Sequence, residues 1–254
     1  MRSLKPEDEE LQRKKAELAR LETELAEREL ELATLEAELR SFERTYLVRV
    51  GRRYAELDQL EAQIAEATAR EHPQNEPARV EAEKARSRAA ESADAVADAE
   101  DTASRGDFKP SDTLKKLYRE AAKAMHPDLA TDEAEKARRE RFMVELNKAY
   151  ADGDEERVRA ILREWEASPE SVKGEGTGAD LVRTIRKIAQ VESRLRAIHA
   201  EIGRLQTSEL FELKTKVDQA ATEKRDLLAE MCDHLDDRIA EVRRRLNRTR
   251  SERI

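Results

Sequence analysis

Residues Ser111 to Asp128 read SDTLKKLYREAAKAMHPD, and the rest of the chain is best read outward from them. Ser111 follows Pro110 and suits a helix N-cap, because its hydroxyl can accept one of the orphan amide protons of the first turn. Leu114, Leu117, Tyr118, Ala121, Ala122 and Met125 recur at 3,4 spacing and make one apolar face. Lys115, Lys116, Arg119 and Lys123 surround the other face, opposed only by Glu120. Pro127 cannot extend the helix and restricts His126 before it. The spacing therefore predicts a basic helix ending in a tight turn that presents an imidazole, a rigid ring and a carboxylate.

A second helix is expected from about Asp132 to Ala151, with Phe142, Met143, Leu146, Ala149 and Tyr150 on its apolar face. Ala121, Ala122 and Ala124 make the first helix small-sided, so the two can approach closely as an antiparallel hairpin. A short third helix, from about Asp154 to Glu166, offers Val158, Ile161, Leu162 and Trp165 as cover.

This segment resembles the J-domain family of DnaJ-like co-chaperones. The resemblance covers residues 108 to 166 at most and is carried by the run from Leu114 to Asp128, followed by Leu146-Asn147-Lys148-Ala149-Tyr150. It implies that His126, Pro127 and Asp128 engage a DnaK-type heat-shock chaperone and trigger its ATP hydrolysis. It also implies that Lys115, Tyr118, Arg119 and Lys123 sit on or near the contact, against an acidic partner surface. Asp128 would pair with a partner arginine. Leu114, Leu117, Ala121, Met125, Phe142, Met143, Leu146 and Tyr150 would form the domain core. The chain departs from the family pattern in several places: Met143 stands where Phe is usual, beside Phe142, and Glu120 occupies a commonly basic position. Residues 88 to 110 lack the family's short first helix with its Tyr-x-x-Leu-Gly pattern, and Leu129-Ala130 replaces the common Lys-Asn after the tripeptide. A Gly/Phe-rich linker and Cys-x-x-Cys repeats are also missing.

On either side the sequence turns to long amphipathic helices, giving an all-α chain in which coiled-coil helices flank a small helical J-domain. Residues 1–72 read as an N-terminal coiled coil, with Leu11, Leu18, Leu21, Leu25, Leu32, Leu35, Leu39, Phe42 and Tyr46 at heptad spacing and Lys14 and Arg28 as exceptions in the seam. The step from Tyr46 to Val50 is a second consecutive step of four, a stutter that locally unwinds a supercoil. It lies beside Gly51 and an aromatic cluster of Phe42, Tyr46 and Tyr54, read as a bulky interface patch or a docking platform. Residues 73–105 form an Ala/Glu-rich helical linker with few large apolar side chains. The segment resembling a J-domain is expected over 106–167 and a Gly-rich hinge over 168–179. From 180 to 254 runs a second coiled coil, with Asp180 as candidate N-cap and an apolar stripe that loosens between Phe211 and Lys224. Similar helix lengths allow antiparallel pairing within one chain, with the middle domain at the tip, or parallel pairing between two chains.

Charged residues make up 42% of the chain and aromatics 4%, against about 25% charged in an ordinary domain, so one large common core is excluded. Both signs alternate along the helices and the formal net charge is −8, which does not favour a nucleic-acid groove. The basic C-terminal arginines, Arg243, Arg244, Arg245, Arg248, Arg250 and Arg253, read as a solvated helix end. No apolar run approaches the roughly 18 residues needed to span a bilayer, and the N-terminus has no signal-peptide core. Cys232 has no second cysteine to pair with, which suits a reducing cytoplasm. His72, His199 and His234 are isolated, and the acids near His234 read as an acidic helix turn. The expectation is a cytoplasmic protein with no catalytic constellation, metal or cofactor. Its partners would be the heat-shock chaperone and, through the coiled coils, itself or another coiled-coil protein.

Overall fold

The computed structural model describes residues 6–102, 108–130, 133–166 and 177–251. All regular structure among the described residues is helical. In chain order the elements are α1 (Pro6–Tyr46), a π-helical segment (Leu47–Gly51), α2 (Arg52–Glu71), α3 (Glu76–Thr102), α4 (Asp112–Met125), a 3-10 turn (Pro127–Leu129), α5 (Glu133–Ala151), α6 (Glu155–Glu166), α7 (Thr177–Gln206), α8 (Glu209–Thr222) and α9 (Leu227–Ser251). No helix among the described residues is long and apolar enough to cross a membrane. The expected start of α5 at Asp132, most of the hinge at 168–179, both limits of the 106–167 segment and Arg253 lie outside the described residues.

The chain divides into two compact units. The first holds α1 up to Glu38 together with α4 to α7, and the second holds the rest of α1 with α2, α3, α8 and α9.

In the first unit, α4 begins as the sequence suggests. Ser111 Oγ accepts the Leu114 amide at 3.0 Å and so satisfies one orphan donor of the first turn. α4, α5 and α6 bury Leu114, Leu117, Ala121, Met125, Met143, Leu146, Tyr150, Val158 and Ile161 in one cluster, with Phe142 and Trp165 packed at its edge. α4 and α5 run antiparallel, because Tyr118 bonds Asn147 while Arg139 reaches back to the carbonyls of Ala124 and His126. The α5–α6 connection turns on Gly153, whose φ of +71° suits a residue without Cβ. Asp154 then caps α6 through the Arg157 amide.

A stripe of α1 completes the packing of this helix group. Ala26, Leu30 and Ala33 of α1 lie in the same buried cluster as the faces of α4 to α6. A neighbouring face of α1, Leu21, Leu25 and Leu32, packs with Ile188, Val191, Ile198 and Ile202 of α7. Glu22 faces Lys187, Glu29 bonds Arg194, and Leu35 and Glu38 share a groove with Gln206. Numbers rise together on both helices, so α1 and α7 are parallel.

In the second unit, α2 and α3 form an antiparallel pair around the break at His72–Asn75. Arg88 bonds Asp58 and Glu61, Ser92 bonds Asp58, and Arg52 pairs with Glu100. Residues 78–104 look weakly anchored in the sequence, yet α3 buries Ala82, Ala85, Val96 and Ala99. Small side chains suffice because the helices lie close. A Cβ on Gly51 would sit 3.4 Å from the Val96 side chain and 3.2 Å from Leu47. The stutter expected at Tyr46–Val50 is where the backbone widens into the π segment, which absorbs an extra residue within a continuous helix. Of the aromatic cluster, Tyr46 packs against the buried core of this unit while Tyr54 is exposed.

α9 runs parallel to α2: Arg49 pairs with Asp226, Arg53 with Asp236 and Arg243 with Glu56. The sequence allowed antiparallel pairing within the chain or parallel pairing between chains. The helices adopt a third arrangement, parallel within one chain, which is reachable because α3 reverses direction after α2. The C-terminal helix is also not continuous. It breaks at Thr207–Ser208 and again at Glu223–Asp226, where Lys224 takes a positive φ of 61° and Asp226 caps α9 through the Ala229 amide. Asp180 lies inside the first turn of α7 rather than capping it, and pairs with Arg183 at 2.7 Å.

Candidate functional site

The site grows from the end of α4. Pro127 stops the helix, and the chain turns through Pro127–Leu129 with Leu129 and Ala130 amides closing on the carbonyls of His126 and Pro127. His126 Nδ1 accepts the Asp128 amide at 3.2 Å. An acceptor at Nδ1 leaves the ring proton of neutral imidazole on Nε2, which lies 2.9 Å from Glu29 Oε1 and donates to it. Arg139 of α5 donates to the Ala124 and His126 carbonyls at 3.3 and 3.1 Å, satisfying the open end of α4. Its guanidinium lies 4.8 Å from the Trp165 ring and pairs with Glu135. The turn is therefore held from three sides.

His126 is 2% exposed, so the expectation that the tripeptide projects its imidazole outward is corrected. The cause is Glu29, itself 3% exposed, which receives both His126 and Arg194 Nε, the latter at 2.7 Å. Burial by itself pushes the Glu29 carboxyl up. The hydrogen bonds from His126 and Arg194, with the adjacent charge, outweigh it and hold the group below the usual carboxylate range. Burial likewise opposes the Arg194 charge, but Glu29, with help from Asp128, raises its pKa. Asp128 remains a quarter exposed and lines a groove of about 410 Å³ with Pro127, Lys136, Gln190, Ser193 and Arg194. Leu129 is buried in the α1–α7 cluster, a physical reason for an apolar residue at that position.

The basic side chains of α4 face α1 in part. Arg119 lies 3.8 Å from Glu27, Lys123 donates to Thr23 Oγ1 at 3.0 Å, and Lys115 lines a groove of about 920 Å³ with Thr23, Glu27 and Leu30. Lys116 and Lys123 are exposed. Tyr118, expected near the contact face, is instead fully buried, so it belongs to the core. Its hydroxyl donates to Asn147 at 2.7 Å, its ring lies 4.7 Å from that of Tyr150, and burial holds the phenol well above its ordinary pKa. Tyr150 in turn exchanges a hydrogen bond with Thr34 of α1 at 2.8 Å.

Glu29, Arg194 and Arg139 were missed in reading the sequence. Arg28, by its spacing a polar exception in the α1 seam, is half exposed and pairs with Glu31, while Glu29 is the buried one. A second apolar stripe, Ala26-Leu30-Ala33, was the available signal. Elsewhere, Cys232 is buried and its thiol lies 3.4 Å from the Arg49 carbonyl. His72, His199 and His234 are exposed. Among the described residues no group of three His, Cys, Asp or Glu side chains is placed to hold a metal ion. Comparison of the chain with protein-family models, curated proteins and solved structures returns no match.

Proposed function

We propose that this chain is a cytoplasmic co-chaperone whose segment from about residue 108 to 166 acts as a J-domain, stimulating ATP hydrolysis by a DnaK-type heat-shock chaperone. The flanking coiled-coil helices would serve oligomerisation or targeting. One observation carries the reading: His126-Pro127-Asp128 ends a capped, basic helix and is followed by a packed partner helix bearing Leu146-Asn147-Lys148-Ala149-Tyr150. The Tyr118–Asn147 bond and the hold of Arg139 on the end of α4 support it, since both fix the two helices with the tripeptide at their junction.

In this reading the chain performs no bond chemistry of its own. The basic face of α4 steers the encounter with an acidic surface, so binding weakens as salt rises. His126 and Asp128 then supply the directional contacts, Asp128 through a charge-assisted bond to a cation. The test is turnover of ATP by a DnaK-type chaperone with and without the full chain. Stimulation is expected, and His126→Gln and Asp128→Asn should each abolish it with helicity retained. Undiminished stimulation by both variants would sink the reading.

A second reading has a specific observation in its favour, the burial of His126 on Glu29. The tripeptide would then be a buckle in a coiled-coil scaffold that activates nothing. It predicts that His126→Gln lowers the melting temperature while the chain, wild type or variant, leaves chaperone turnover unchanged.

A further inference from the structure

We propose that α1 and α7 form a built-in latch over the His126-Pro127-Asp128 turn, occupying the surface a chaperone partner would take, so that the chain must open before it can act. This rests on the co-chaperone reading above. The basis is that each feature the resemblance assigns to the partner contact already has a counterpart inside the first unit.

His126 has both ring nitrogens engaged, one by the Asp128 amide and one by Glu29. The arginine expected from a partner to meet Asp128 has its equivalent in Arg194, which lines the groove beside Asp128 and is stabilised by its charge. The acidic surface expected opposite α4 has its equivalent in α1, where Glu27 faces Arg119 and Thr23 takes Lys123. Leu129, standing where the family commonly carries lysine, is buried among residues of α1 and α7 and ties the turn into that seam.

The physics suits exchange. A buried ionic cluster adds little net stability over apolar packing, because desolvation offsets its Coulomb attraction. A partner offering an acidic face and an arginine supplies the same bonds that opening would lose. A partner that binds only the open form then shifts the chain toward it by its differential affinity. Glu29→Gln, which keeps the side-chain shape, weakens the closed form without removing anything the partner needs. Arg194→Gln does the same from α7.

The experiment uses the full chain and two readouts. The first is exchange of the histidine ring C2 proton with deuterium, read by mass spectrometry, with exposed His72, His199 and His234 as internal references. His126 should exchange far more slowly than these in the wild type and approach them in Glu29→Gln and Arg194→Gln. The second is turnover by a DnaK-type chaperone. Both variants should reach half-maximal stimulation at a lower chain concentration than wild type, by about 5- to 150-fold, the usual span of a coupling that changes affinity. Adding His126→Gln to either should remove the gain.

Wild-type exchange at His126 as fast as at the reference histidines would overturn the latch. So would equal stimulation by wild type and both opened variants, an outcome that leaves the co-chaperone reading standing. If His126 is shielded and released as expected but no form of the chain stimulates turnover, the co-chaperone reading fails and the latch proposal falls with it. Should Glu29→Gln lose helicity, Arg194→Gln carries the test.

Discussion

The two units close a similar parallel helix pair in different ways. In the second, Val50, Leu57 and Leu60 meet Leu228, Cys232, Leu235, Ile239 and Leu246, and the ion pairs Arg49–Asp226 and Arg53–Asp236 stay at the rim. In the first, Leu21, Leu25 and Leu32 meet Ile188, Val191 and Ile198, but Glu29 and His126 are buried in that unit with Arg194 half-buried beside them. An apolar seam gains from burial of nearly any well-shaped side chain. A buried charged layer is satisfied only by particular partners in particular places, so it selects one arrangement and is sensitive to losing a single member. The unit bearing the candidate site is the one built to be sensitive.

The largest expected effect follows from that contrast. Glu29→Ala strands Arg194 and His126 without their common acceptor, and removing one member of a buried pair costs about 3–5 kcal/mol. Hydrogen exchange should quicken across α4, α5 and α7 while amides of α2 and α9 keep their protection. Replacing Glu29, His126 and Arg194 together by apolar residues of similar volume should restore most of the loss, since a buried ionic cluster is often no better than good packing. A triple variant as unstable as Glu29→Ala would break the account of the first unit.

The second unit should respond to volume instead. Leu235 is 4% exposed within its apolar cluster, and Leu235→Ala should cost about 2–5 kcal/mol through lost burial and the cavity left behind. The exchange pattern should mirror the first case, with α2 and α9 opening. Nothing in its ion pairs should compensate.

Acid sharpens the comparison next. The Glu29 carboxyl sits below the usual carboxylate range, because His126 and Arg194 outweigh the effect of burial. A depressed native pKa means that its contribution is fully present above the unfolded-state pKa and disappears as pH falls through the native value. His126, Arg194 and, less directly, Tyr118 face it, and Asp128 acts on Arg194. Melting of the first unit should therefore fall on acidification below the ordinary glutamate range, and Glu29→Gln should flatten that dependence. An unchanged acid profile in the variant would show that other carboxylates govern it.

Much of the first unit was legible because short-range signals agreed. Ser111, the apolar spacing of α4 and the proline at its end all specify the same helix limits, and the structure follows them. The irregularity at Tyr46–Val50 was visible as a break in spacing and appears as the π segment. What stayed hidden depends on two faces of one helix. Taking α1 at about 100° per residue, Leu21, Leu25 and Leu32 fall within about 40° of one another, and Ala26, Leu30 and Ala33 lie about 120–180° round. Glu29 lies near 80°, between the stripes. A heptad template sees only the first stripe, so it puts Arg28 in the seam and assigns Glu29 no role. The burial of Tyr118 was readable from its place on the apolar face, but the resemblance drew it toward the contact. The parallel course of α9 depends on α3 turning the chain back, and a stripe of alanines gives little hint of a firm docking surface.

The smallest expected effect is at the rim of the second unit. Arg53 and Asp236 meet at 2.9 Å, yet their side chains remain 34% and 53% exposed. Solvent screens such a pair, and two long side chains lose freedom in making it, so the coupling should be about 0–1 kcal/mol. Arg53→Ala alone would overstate it, because Arg53 also donates to the Arg49 carbonyl at 2.8 Å. A double-mutant cycle with Asp236→Ala removes that contribution, provided the carbonyl bond is lost equally in both backgrounds. The same cycle on Glu29 and Arg194 should give a clearly larger coupling that resists added salt, whereas the rim pair should fade with it. Equal couplings at the two places would mean that burial does not set what these ion pairs contribute, and the latch would lose its reason to be sensitive where the rim is not.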